Sequence, residues 1–206
     1  MIRRPVLIGP LLISATLLLA ACSGTPAPAP QPSAAAEQPP AEQVKAEPLT
    51  PQRLQTLWWS WASSAAPGQS PVEDATGQYC GDSQPFGVWL VAGTASGTAD
   101  RHCQVPAALP LAGPAAAQVT KDQNDCAAFL AAAKGEVLLD GKPVQLEKME
   151  PTKITYETEQ GSKEGFSCGL WFRANPLSPG QHTLTLRGSS GSFANEVNYD
   201  LAVVKL

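Results

Sequence analysis

Residues 177–188, Leu-Ser-Pro-Gly-Gln-His-Thr-Leu-Thr-Leu-Arg-Gly, leave this chain little choice of fold. Pro179 presets φ to about −65° and Gly180 accepts a positive φ, so the pair turns the backbone. Beyond the turn the residues alternate. His182, Leu184 and Leu186 point one way, and Thr183, Thr185 and Arg187 point the other. A Gly/Ser loop at 188–191 follows, and Val197, Tyr199, Leu201 and Val203 then alternate toward the C-terminus. A period of two on both arms is a β-hairpin with one buried and one wet face. The buried face needs a second layer, and the rest of the chain must supply it.

The supply is mostly strands. Residues 136–146 form a second hairpin with Asp140-Gly141 at its tip, a strong turn signal. Residues 152–158 are a strand of Thr, Ile and Tyr. In 166–173, Phe166, Cys168, Leu170 and Phe172 point inward; Trp171 falls on the opposite face, where it covers a second layer or meets a ligand. Residues 86–92 are apolar on both faces and read as a central strand. Residues 101–105 read as a short return strand ended by Pro106, and 106–118, rich in Ala, Pro and Leu, show no clear period.

Two helices complete the pattern. Thr50-Pro51 opens the first as N-cap and first helical residue, and Ala66-Pro67-Gly68 stops it. Leu54, Leu57, Trp58 and Trp61 form its apolar stripe. Trp59 lies off the stripe and either packs under a neighbouring loop or offers an exposed aromatic to a ligand. The second helix spans 121–134, with Asp122 or Asn124 as N-cap, Gly135 as C-cap, and Phe129 and Leu130 docking it. The expected fold is mainly β within an α+β class. It is an immunoglobulin-like antiparallel β-sandwich with an N-terminal helix and one further short helix. Residues 49–206, 158 in number, suit one domain of this kind.

Residues 1–21 stand apart as a signal peptide. Arg3 and Arg4 precede an apolar run, residues 6–19, too short to span a bilayer comfortably. Leu19-Ala20-Ala21-Cys22 resembles the bacterial lipobox, which implies diacylation of Cys22 and cleavage before it. Residues 22–48 then read as a lipidated Cys and a Pro/Ala-rich tether, semi-extended at roughly 3 Å per residue. In a Gram-negative cell Ser23 carries no inner-membrane retention signal, so the expected site is the outer membrane, facing the periplasm or the surface. In a Gram-positive cell it is the outer face of the plasma membrane.

Charge and cysteine agree with export. Removing Arg3 and Arg4 from 14 basic residues leaves twelve against 18 acidic ones, a net of −6 with no basic patch, which argues against a nucleic-acid partner. With Cys22 lipidated, Cys80, Cys103, Cys126 and Cys168 remain, an even number that argues two disulfides. Three pairings are possible; Cys80–Cys103 and Cys126–Cys168 join those nearest in sequence. No Cys-x-x-Cys or Cys-x-x-His spacing supports zinc, and no cofactor or metal is expected.

A longer series runs Trp58-x-x-Trp61, Pro71-x-x-Asp74-x-x-Gly77-x-x-Cys80, Gln84, Val88-Trp-Leu-Val-Ala-Gly93, Arg101-x-Cys103-x-Val-Pro106 and Leu177-Ser-Pro-Gly-Gln-His-Thr-Leu184. It resembles a family of secreted bacterial proteins and lipoproteins with no assigned activity, across most of residues 50–206. The resemblance implies an exported, intact domain and no site residues.

Catalytic sets are sparse. His102 sits beside Cys103, and His182 follows a turn with a ring nitrogen expected to be satisfied. Glu73 with Asp74, and Glu157 with Glu159, are the paired acids; such pairs hydrolyse glycosides only at fixed separations in a cleft. No Gly-x-Ser-x-Gly elbow is present. The expected role is a non-enzymatic binding module for an envelope protein or glycan, with Trp59 and Trp171 as candidate contacts. The alternative is a small envelope hydrolase acting on glycan or peptidoglycan.

Overall fold

The computed structural model describes residues 48–205; the lipobox with Cys22 and nearly all of the tether lie outside them. Helix α1 (Pro51–Ser63) opens as its sequence dictates: the Thr50 hydroxyl accepts the Arg53 N–H, and Pro51 sits where no N–H is needed. It ends at Ser63, ahead of the Ala66-Pro67-Gly68 stop.

The described strands are β1 (Trp89–Leu90), β2 (Gly97–Pro106), β3 (Leu111–Thr120), β4 (Lys134–Leu139), β5 (Lys142–Pro143), β6 (Glu147–Thr158), β7 (Gly161–Ala174), β8 (Gly180–Ser190) and β9 (Phe193–Val204). Helix α2 (Gln123–Ala132) lies between β3 and β4. They form two packed sheets in the orders β1-β3-β7-β6 and β2-β9-β8-β4-β5. Lettered in chain order with the first strand split in two, these are A-B-E-D and A′-G-F-C-C′, an immunoglobulin-like sandwich. The sheets are mixed rather than wholly antiparallel, because β1 runs parallel to β3 and β2 parallel to β9. Strands β2 and β9 come from opposite ends of the domain, so nearly the whole domain serves as the crossover that a parallel pair requires.

The β8–β9 hairpin supplies much of the core. Leu184 faces Tyr199 and Leu186 faces Val197 across the ladder. These four, with Leu201 and Val203, meet Val91, Leu111 and Phe172 from the other sheet. Each fully buried Leu or Val contributes roughly 1.5–3 kcal/mol. The Asp140-Gly141 tip turns with positive φ at both residues, as its dipeptide predicts.

Four expectations need correction. Residues 101–105, expected as a short return strand, belong to the ten-residue β2, which pairs with β9 in the five-stranded sheet and not with β1. In the 86–92 run Phe86 and Gly87 are exposed, and residues 88–92 are buried on both faces, Trp89 and Val91 toward the other sheet and Val88, Leu90 and Ala92 toward α1. The run lies nevertheless at a sheet edge. The Gln84 carboxamide donates to the Leu90 carbonyl (2.9 Å) and accepts the Leu90 N–H (2.7 Å), closing that edge as a neighbouring strand would. Residues 111–120, unreadable from their Ala and Pro content, are the strand β3. Asp122 caps α2, but Ala133 is already extended, so Gly135 pairs with Gly188 in β4 and is no cap.

Trp171 is also settled. Helix α1 covers the outer face of the four-stranded sheet, and Trp171 is 0% exposed beneath it, edge-on to Trp58 at 5.7 Å between ring centroids. It covers the helix layer and offers no face to a ligand. Both disulfides form as paired by sequence proximity: Cys80–Cys103 ties the loop after α1 to β2, and Cys126–Cys168 ties α2 to β7. Among the described residues no helix is long and apolar enough to cross a membrane.

Candidate functional site

The inward phase of β2 reads Ala99, Arg101, Cys103, Val105, which places an arginine in the core at 2% exposure. Among the described residues its guanidinium meets no carboxylate. Nε donates to the Asp74 carbonyl (2.6 Å), and Nη1 donates to the Ala92 carbonyl (2.6 Å) and to the Tyr199 hydroxyl (2.7 Å). Longer bonds reach the Val72 and Gly93 carbonyls. Arg101 thus latches two loop segments, around 72–74 and 92–93, onto β9. Asp74 shapes the first of these. It is 8% exposed, and its carboxylate accepts the N–H groups of Thr76, Gly77 and Tyr79. Burial pushes the Asp74 carboxyl up, but those N–H groups outweigh it and hold the pKa below the usual value.

The latched loops, α1 and one end of the sandwich enclose a groove. Pro114 cannot donate to the β3–β7 ladder, and the register shifts there by a bulge between Pro114 and Ala116. The bulge brings the Ala115 carbonyl against β8, so close to Gly188 that a Cβ at that position would lie 1.8 Å from the oxygen. The resulting cavity, about 220 Å³, is walled by Trp58, Trp59, Val72, Pro114, Phe193 and Asn195 among others.

Trp59, off the buried stripe of its helix, lines this cavity. Its indole N–H donates to Ser167 Oγ (2.8 Å), and Tyr156 stands 6.3 Å away. Asn195 is 8% exposed. Its Nδ2 reaches the Ala115 carbonyl at 3.5 Å, and its Oδ1 accepts no hydrogen bond from any described residue. Asn195 also borders a second, open hollow of about 280 Å³ that holds Glu136, Arg187 and Glu196. Arg187 there donates to both carboxylates, at 2.8 and 3.0 Å.

The histidines lie elsewhere. His182 Nδ1 meets Asp140 Oδ2 at 2.8 Å and Nε2 meets the Ser178 carbonyl at 2.9 Å. A carboxylate and a carbonyl only accept, so the two contacts favour hydrogen on both ring nitrogens, and with both in place the ring is an imidazolium. Its pKa is raised, chiefly by the hydrogen bond to Asp140, and the Asp140 pKa is lowered by the same bond. Ser178 Oγ lies 3.5 Å from Nε2, giving the members of a Ser-His-Asp set. In this arrangement the ring has no lone pair to take a proton from the serine. His102 pairs with Asp200 at 3.1 Å, both well exposed, beside an open hollow of about 390 Å³ that includes Cys80, Asp82 and Trp89. Glu157 accepts the Ser162 hydroxyl at the β6–β7 turn, and neither it nor Glu159 borders these cavities.

Among the described residues no three His, Cys, Asp or Glu side chains converge as metal ligands. Cys80, Cys103, Cys126 and Cys168 are held in disulfides and have no thiolate to offer. Of the two candidate contacts named from sequence, Trp59 borders a cavity and Trp171 is core. Asn195 and Phe193 were not singled out. The signal for Asn195 was available: 195, 197, 199, 201 and 203 share one phase, so an amide opens an otherwise inward apolar row. Neither a protein-family model nor a curated protein matches this chain.

Proposed function

We propose that this chain is a lipid-anchored cell-envelope protein that works by binding a protein or glycan of the envelope. The β-rich head is carried from Cys22 on its Pro/Ala tether and meets its ligand at the groove beside Trp59. One observation carries the reading: an apolar cavity bordered by a held indole and by a buried amide oxygen without a partner among the described residues. Ligand sites characteristically combine apolar walls with a few fixed polar groups, and Trp is prominent among binding hot spots. The acidic balance, and the resemblance of the motif series to secreted bacterial proteins, accord with an envelope location. The alternative, a small hydrolase, draws less support, because His182 is committed as a donor at both nitrogens.

The test is affinity capture with cross-linking from intact cells, beside sedimentation with purified peptidoglycan, using wild type, Trp59→Ala and Trp171→Ala. Capture or sedimentation that falls in a folded Trp59→Ala protein supports the groove. Capture identical in wild type and Trp59→Ala, or cleavage of envelope material by the purified protein without capture, overturns it. Palmitate-analogue labelling that disappears in Cys22→Ser supports the anchor; an unlabelled wild type refutes it.

A further inference from the structure

We infer, resting on that binding reading, that the groove takes the acetamido group of an N-acetylated sugar, its amide N–H donating to Asn195 Oδ1 and its pyranose ring lying on Trp59. Asn195 Oδ1 is a buried acceptor with no partner among the described residues, and a buried unpaired acceptor favours any ligand that brings it a donor. It is also the one unpartnered buried side-chain atom bordering this cavity among those residues. The surrounding walls are apolar: Val72, Pro114, Ala115, Ala117 and Phe193. A group that matches one acceptor set in apolar walls carries one N–H beside a methyl, which is an acetamide.

Trp59 adds the second half of the match. Its N–H is already committed to Ser167, so the indole is fixed and what it has to offer is its ring surface. A pyranose presents a face of C–H groups suited to that surface. The cavity volume, about 220 Å³, suits one sugar with its acetamide rather than a larger ligand. The adjoining hollow shares Asn195 and holds Glu136, Arg187 and Glu196, donors and acceptors fitted to the hydroxyls of a neighbouring sugar. An extended peptide would instead call for a row of unmet backbone partners, as strand addition does. Among the described residues this cavity has a single unmet side-chain acceptor.

The experiment titrates the full-length protein with N,N′,N″-triacetylchitotriose, read by tryptophan fluorescence and calorimetry. The de-acetylated trisaccharide and cellotriose serve as controls, since they replace the acetamide by an amine or a hydroxyl. The acetylated sugar binds, and each control binds at least about tenfold more weakly, equivalent to about 1.4 kcal/mol. Asn195→Leu keeps the volume and removes the acceptor, and loses about tenfold. Gly93→Ala, on the cavity wall, adds a Cβ 2.9 Å from Asn195 Nδ2, displaces the end of that side chain and weakens binding. Thermal melts verify that both variants are folded. Equal affinity for all three sugars, no binding of the acetylated one, or wild-type affinity in both variants overturns the assignment. If envelope capture depends on Trp59 while the acetylated sugar does not bind, the acetamide falls and the binding reading stands. If capture is indifferent to Trp59, both fall.

Discussion

Replacing Arg101 by Met removes the latch while keeping the volume of its aliphatic stem. The guanidinium now satisfies the Asp74 carbonyl at 2.6 Å and reaches the Val72 and Gly93 carbonyls at 3.3–3.4 Å. The Ala92 carbonyl survives the change, because the Tyr199 hydroxyl also donates to it at 2.6 Å. Three carbonyls are left without their donor, and each buried orphan costs about 1–3 kcal/mol. Loop relaxation toward water reduces the sum, leaving about 3–5 kcal/mol for three such carbonyls. Against a domain stability of about 5–15 kcal/mol that is a large fraction. At about 2–4 °C per kcal/mol for a domain of this size, the melting temperature falls by roughly 6–20 °C. Arg101→Lys keeps a charge but fewer donors, and falls between wild type and Met. Circular-dichroism melts of the oxidised protein measure the loss, and hydrogen exchange locates it at residues 72–77. A Met variant melting within about 2 °C of wild type would refute the reasoning, since the carbonyls would then have been satisfied without Arg101.

Trp171→Ala empties a fully buried site and costs about 3–5 kcal/mol, whereas Trp59→Ala acts mainly on ligand capture; urea titrations separate the two, and equal destabilisation would contradict the assignment. The disulfides close sequence separations of 23 and 42 residues, worth about 3–4 kcal/mol each in the chain-entropy model, so removing Cys126–Cys168 as a Ser pair costs at least as much as removing Cys80–Cys103; the reverse order in chemical melts counts against loop entropy as the cause. Gly188→Ala forces a Cβ against the Ala115 carbonyl and lowers stability by about 1–3 kcal/mol; an unchanged melt would show that the bulge yields freely. The His182–Asp140 pair gives a pH signature. The pKa of His182 is raised, so its contribution is full below the unfolded value of about 6.5 and lost as pH rises through the folded one. The pKa of Asp140 is lowered, so its contribution is full above about pH 4 and lost as pH falls through the folded value. His182→Gln therefore flattens the decline in melting temperature above about pH 6.5, and an identical decline in both proteins rules the pair out as its source.

Much of the architecture was legible because period carries it. The β8–β9 hairpin, the Asp140-Gly141 turn, both N-caps and the apolar stripe of α1 each follow from a local rule that tertiary packing does not oppose. Strand β3 was opaque for the converse reason: Ala, Gly and Pro give no contrast between faces, and the residues are small where β8 presses on Ala115 and Val91 on Gly113. The edge position of β1 was hidden because the side chain of Gln84, six residues before Leu90, closes that edge in place of a strand. In the site, Trp59 could be named because it breaks a period. Arg101 and Asn195 obey one, and only their chemistry, polar in an inward phase, marks them.

The same two residues explain why a groove exists at this end of the sandwich. An immunoglobulin-like pair of sheets packs continuously between its faces, so an enclosed cavity needs a third element laid across an open end. Here that element is the N-terminal segment: α1 supplies Trp58 and Trp59, and the loops supply Val72, Gly93 and Thr94. The segment carries its own apolar stripe, but three non-helical ties also hold it in register: Arg101 to the loop carbonyls, Cys80 to Cys103, and the Trp58 indole to the Val91 carbonyl at 2.9 Å. The sandwich answers with the Pro114–Ala116 bulge and with Phe193 and Asn195 at the start of β9. Groove and latch are therefore one construction. An Arg101→Met protein that stays folded below its melting temperature should lose ligand capture along with stability, although Arg101 does not border the cavity. Retained capture in that variant, measured well below its melting point, would mean that α1 alone positions Trp59 and that the loops are passive.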